Sequence, residues 1–139
     1  MKSFGIDLGT TNCALAFASV NEEEETTEFG TFDIPQLVES GQIDSCATLP
    51  SFIYLPAGHE LSAMDLALPW DEVNLTAVGR FARQEGSKKP DRLISSAKSW
   101  LSQESVERRK AILPWKGAED VKKMSPVEAS TEYLRHVCQ

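Results

Sequence analysis

The sequence predicts an α/β chain in which a meander of antiparallel strands is followed by helices. Three observations carry this reading. Apolar residues alternate with a period of two over the first third of the chain. Apolar residues recur at helical spacing after residue 79. A complete helix start, Ser125-Pro126-Val127-Glu128, opens the last segment.

Phe4, Ile6 and Leu8 alternate with Ser3, Gly5 and Asp7, which makes a first strand with one apolar face. Cys13, Leu15 and Phe17 continue the pattern on a second strand, with Ala14, Ala16 and Ala18 on its other face. Side chains that small suggest that something packs closely there. Residues 22–27 form a polar link to a third strand over 28–34, and three strands with short links read as an antiparallel meander. A fourth strand is expected over about 51–55, between Pro50 and Pro56. Residues 57–75 are irregular, with a turn at Pro69-Trp70-Asp71. Val78-Gly79 leads into a helix with Phe81 and Ala82 on its apolar face. A second helix is expected over 90–101, where Leu93, Ala97 and Leu101 fall at i, i+4 and i+8. Pro114 ends any helix before it. In the last segment Ser125 is the N-cap, Pro126 suits the first helical position and Glu128 closes a capping box. Val127, Thr131, Leu134 and Val137/Cys138 then keep helical spacing to the chain end, with no C-cap glycine.

The 139 residues suit one domain or a piece of one, and 41% hydrophobic with 25% charged residues is a globular balance. No apolar run approaches the ~20 residues of a membrane span, and the N-terminus lacks a signal-peptide pattern. A cytoplasmic location with no membrane partner is the expectation. Fourteen basic against 21 acidic residues give a net charge of −7, which argues against a nucleic-acid partner. The run Glu22–Glu25 reads as a solvated loop. Cys13, Cys46 and Cys138 are odd in number and far apart, so reduced and mostly buried thiols are expected. His59 and His136 stand outside any triad or ligand set.

The stretch "GIDLGTTNCALAF" (5–17) is where chemistry concentrates. Glycines at 5 and 9 allow a group to approach the backbone closely. Turn amides beside the Thr10 and Thr11 hydroxyls suit phosphate oxygens. Asp7 can hold a magnesium ion through the waters that the ion keeps. A plain hairpin turn uses the same residue types, and the lysine-bearing P-loop pattern is missing.

That stretch resembles the first phosphate motif of the actin-like ATPase superfamily, which includes sugar kinases, actin and the DnaK-like (seventy-kilodalton heat-shock) chaperones. "ATLPSFIYLP" (47–56), "AVGRFARQEGSKKPDRLISSAKSWLS" (77–102) and "MSPVEASTEYLRHV" (124–137) are similar to the chaperone branch, in the same order. The resemblance is weak over 57–75 and 103–123. It implies a ribonuclease H-like fold, with residues 1–36 as subdomain IA strands with the phosphate hairpin, 37–123 as a subdomain IB-like insert and 124–139 as a helix returning to subdomain IA. It implies ATP and Mg²⁺ as cofactors of the intact protein, with Gly9, Thr10, Thr11 and Asn12 around the phosphates and Asp7 reaching the metal through water. Lys98, in "SSAKSWL", falls at the family's catalytic lysine, whereas a lone lysine on a helix is otherwise a solvated residue. Ser99 and Trp100 follow it where the family often has arginine, which marks a divergent member.

The activity so implied is ATP hydrolysis coupled to binding and release of unfolded polypeptide, with co-chaperones as further partners. The alternatives are a sugar kinase of the same superfamily and a non-catalytic nucleotide-binding scaffold. The second phosphate loop, the adenosine site and the peptide-binding domain would lie outside these residues. This part of lobe I is therefore expected to hydrolyse no ATP by itself, to bind nucleotide weakly or not at all, and to self-associate through an unpaired strand edge or through the apolar side of helix 125–139 around Leu134 and Val137. A valine at Gly9 is expected to block phosphate while leaving the fold near native.

Overall fold

The computed structural model describes residues 1–139. The period-two pattern forms β1 (Lys2–Leu8), β2 (Asn12–Asn21) and β3 (Thr26–Phe32), an antiparallel sheet in the order β1-β2-β3. Its register sets Phe4 opposite Phe17, Ile6 opposite Leu15, Leu8 opposite Cys13 and Leu15 opposite Phe32, so one face is apolar across all three strands. Only one end of that face is covered. Cys13 is fully buried, whereas Phe4 is 64% exposed and packs on Phe32 at 6.1 Å between ring centroids. On the opposite face Ala16 is exposed, so the close neighbour expected over the alanines is not supplied there.

A hairpin follows that the sequence pattern did not reveal: β4 (Ile34–Glu39) and β5 (Gln42–Cys46), joined through Gly41 at φ 66°. Its alternation is masked because buried Gln36 takes a core position. Gln36 donates to the Thr48 carbonyl at 2.9 Å and accepts from the Arg80 amide at 3.0 Å, which satisfies a group that would otherwise be costly to bury.

The strand expected over about 51–55 forms over 52–54, and a further short strand precedes it across Ser51. β6 (Leu49–Pro50) pairs with β2, setting Cys13 opposite Leu49. β7 (Phe52–Tyr54) is the centre of a second sheet, between β8 (Ala77–Val78) and β9 (Leu93–Ser95). Between β7 and β8 in the chain lie α1 (Ala63–Leu66), capped by Ser62 and Asp65, and the expected turn at 69–71, closed by a Leu68–Asp71 bridge. α2 (Arg80–Lys88) begins after Gly79 and buries Phe81 and Ala82 as the sequence predicts. Gly79 has φ 89°, and a Cβ there would lie 2.6 Å from Gln36 Oε1 and Leu49 Cδ1.

The helix expected over 90–101 does not form as one element. A short 3₁₀ turn at Pro90–Arg92 leads into β9, and only α3 (Ala97–Trp100) is helical. Pairing with β7 wins over the i, i+4 pattern because it buries Ile94, which lies off the predicted stripe. Ser96, at φ 52°, then separates strand from helix.

α4 (Pro126–Val137) forms with both hydrogen bonds of its capping box, Glu128 N to Ser125 Oγ at 3.1 Å and Ser125 N to Glu128 Oε2 at 2.7 Å. Its buried face is Ala129, Ser130, Tyr133, His136 and Val137, and Val127, Thr131 and Leu134 of the predicted stripe are exposed. Small Ala129 lets the helix approach, and Ser130 donates its hydroxyl to the Pro126 carbonyl, which lets this polar residue stand in the core face.

The main core joins Cys13, Leu49, Ile53, Ile94, Ala97, Tyr133 and their neighbours, drawing on the first strands, the middle of the chain and α4. A second cluster, around Leu37, Tyr54 and Phe81, lies within the middle segment. All three thiols are free, but only Cys13 is buried; Cys46 is half-buried and Cys138 exposed. No helix is long and apolar enough to cross a membrane.

Candidate phosphate-binding turn

The β1–β2 connection, Gly9-Thr10-Thr11, is built by what lies beneath it. Ser51 is 1% exposed. Its hydroxyl donates to the Gly9 carbonyl at 2.8 Å, and its amide donates to the Thr11 carbonyl at 2.9 Å. Two of the turn's carbonyls are thereby directed into the protein. The amides of Gly9, Thr10 and Thr11 have no hydrogen-bond partner, and neither do the Thr10 and Thr11 hydroxyls. Backbone amides are rarely left unpaired in a folded chain away from water. Here Thr10 and Thr11 are exposed, so their donors are available to solvent or to a ligand, whereas Gly9 is half-buried.

Gly9 has a reason of its own. A Cβ at this position would lie 2.1 Å from the Asn12 carbonyl oxygen, so the glycine is demanded by the turn before any ligand arrives. This corrects the expectation that a side chain there spares the fold. Gly5 differs: a Cβ would meet nothing within 4 Å, and the space above β1 is open.

Asp7 is exposed, directly opposite Ala14, on the alanine face of the sheet. Its carboxylate has no hydrogen-bond or ion-pair partner. No group of three or more His, Cys, Asp or Glu side chains converges anywhere in the chain, so no protein cage for a cation is present. A single carboxylate beside free amides suits a hydrated cation that accompanies phosphate.

Lys98 is linked to the turn only through strand register, and no hydrogen bond or ion pair joins its side chain to residues 9–11. β9 ends at Ser95, which pairs with Phe52, the residue after Ser51. Lys98 stands in α3 next to Ala97, which is buried in the same core as Cys13. Its side chain is exposed and makes no ion pair.

No protein-family model, curated protein or solved structure matches this chain. The site is therefore read from its own chemistry. It is a wall of donors. Two hollows lie elsewhere, one of about 560 Å³ beside Pro114 and Trp115 and one of about 140 Å³ between Trp70 and His136.

Sequence reasoning missed Ser51. Its signal was a small polar residue between Pro50 and an apolar strand, where the pattern of the strand alone would allow any side chain.

Proposed function

We propose that this chain carries the first phosphate-binding part of an ATP-binding domain of the DnaK-like chaperone kind. The observation that carries the reading is the turn at 9–11, with three consecutive unpartnered amides and two free hydroxyls. Such a set of donors is suited to the oxygens of a polyphosphate. Asp7 would hold magnesium through its water shell, and the ion when bound would neutralise phosphate charge. Lys98 would supply a cation where charge gathers on the terminal phosphate. Gly9, Thr10, Thr11 and Asn12 would line the phosphates. The chaperone branch, with unfolded polypeptide and co-chaperones as partners, rests on the resemblance of 47–56 and 77–102.

Two measurements test this. Calorimetry of the 139-residue chain with magnesium ATP reads the phosphate site, and the account expects weak binding that Asp7→Asn makes independent of magnesium. Phosphate release by a protein carrying the complete nucleotide site is then followed with unfolded peptide and with sugars. Stimulation by peptide supports the chaperone reading. Release that requires a sugar would replace it with a kinase.

A further inference from the structure

We propose that Ser51 is a positioning residue for the phosphate turn, setting the direction in which the Thr10 amide faces a polyphosphate. The inference rests on the phosphate reading above and deepens it.

Every polar atom of Ser51 is engaged. Its hydroxyl has one hydrogen, and that hydrogen goes to the Gly9 carbonyl at 2.8 Å. The Cys13 thiol, 3.4 Å away, is then the donor to Ser51 Oγ. The Ser51 amide holds the Thr11 carbonyl at 2.9 Å, and the Ser51 carbonyl accepts from the Tyr133 hydroxyl at 3.1 Å. One buried serine thus ties the turn, β2 and α4 together at the hinge between β6 and β7.

The direction follows from peptide geometry. The Gly9–Thr10 bond precedes no proline and is trans. In a planar trans peptide the C=O of one residue and the N–H of the next point in opposite directions. Pinning the Gly9 carbonyl inward to Ser51 therefore turns the Thr10 amide outward. Packing alone would hold the backbone near this place but would not choose between the two faces of that peptide. The serine hydroxyl does.

The inference separates two variants of similar structural cost. Ser51→Ala removes the bond to Gly9 and leaves the amide bond to Thr11. Tyr133→Phe removes a buried bond on the other side of Ser51 and leaves Gly9 untouched. The chain labelled with ¹⁵N is titrated with magnesium tripolyphosphate while the Gly9, Thr10 and Thr11 amide resonances are followed, and each variant is unfolded in urea. Ser51→Ala is expected to shift the Thr10 resonance in the free protein and weaken tripolyphosphate about tenfold. Tyr133→Phe is expected to lose stability while keeping both the resonance and the affinity. Should Ser51→Ala fail to fold, Ser51→Cys, with a weak donor in place of the hydroxyl, gives the same readout. Native affinity in the Ser51 variants overturns the positioning role and leaves the phosphate site standing, and so does an equal loss in Tyr133→Phe. Turn amides of the native chain that ignore tripolyphosphate overturn the phosphate reading itself, and the inference with it.

Discussion

Two polar clusters of this molecule spend their hydrogen bonds in opposite ways. Around Glu60 everything closes inward. Tyr54 donates to Oε1 at 2.6 Å, Lys89 donates to the same oxygen at 2.6 Å and the Ala57 amide donates to Oε2 at 3.1 Å. Burial raises the Glu60 carboxyl, but the hydrogen bonds from Lys89, Tyr54 and Ala57 outweigh it and hold its pKa at about 2. Burial, helped by the bond to Glu60, also pushes the Tyr54 phenol well above its ordinary range. At the turn of 9–11 the donors have no partner within the protein and stay unused. Polar groups that a fold satisfies internally contribute to stability, and those it holds in place but leaves open are where a ligand can bind. The contrast assigns stability to the middle segment and, in the function proposed above, binding to the turn.

The largest expected effect breaks the contrast from the turn side. Gly9→Val drives a side chain into the Asn12 carbonyl, so it should abolish phosphate binding and also cost more than about 1 kcal/mol of stability. Calorimetry and urea unfolding of the same sample check both halves. A near-native fold in this variant would show that the turn relaxes easily. Next is Lys98→Ala. In a protein with the complete ATP site it should lower hydrolysis about 10²-fold. Because Lys98 is exposed and makes no ion pair, stability should stay within about 0.5 kcal/mol. Unchanged turnover would remove Lys98 from the chemistry.

The inward cluster should behave in reverse. Tyr54→Phe removes one bond to Glu60 in a buried setting, so it should cost about 1 kcal/mol and leave phosphate affinity as it was. Loss of affinity there would mean that the two regions are coupled. The smallest effect is with pH. His136 is buried, with Nε2 at 2.9 Å from the Pro35 carbonyl and its ring edge-on to Trp70, and burial holds its pKa below the ordinary 6.5. The folded state therefore binds fewer protons than the unfolded one, and stability declines as pH falls below 6.5. Glu60 has the same sign in a lower window. Its contribution is present above 4.5 and is lost as pH falls toward about 2. Urea midpoints followed down from neutral pH should fall in these two steps. A rise in stability on acidification would contradict both assignments.

How much of this was legible in the sequence depends on whether the signal was local. The meander was readable because Phe4, Ile6, Leu8, Cys13, Leu15 and Phe17 alternate strictly. α4 was readable at its start, where the capping box lies within four consecutive residues, but not in its buried face, where Ala129, Ser130 and Tyr133 replace the aliphatic stripe. β4 was hidden by Gln36, whose burial makes sense only once Thr48 and Arg80 are seen beside it. β9 was hidden because its reason to be a strand is its distant partner β7. The same holds at the site. Asp7, Gly9, Thr10 and Thr11 stand together in sequence and were found there. Ser51, Cys13 and Tyr133 meet only through long-range pairing.

The central claim is that the amides of Gly9, Thr10 and Thr11 are phosphate donors. A crystal structure of the chain grown with magnesium and a non-hydrolysable ATP analogue tests it most directly. The account predicts phosphate oxygens about 2.7–3.2 Å from those amide nitrogens, with Asp7 facing the ion's water shell and Ser51 still bonded to Gly9. Phosphates seated elsewhere, such as beside Trp115, or turn amides paired within the protein, would contradict it.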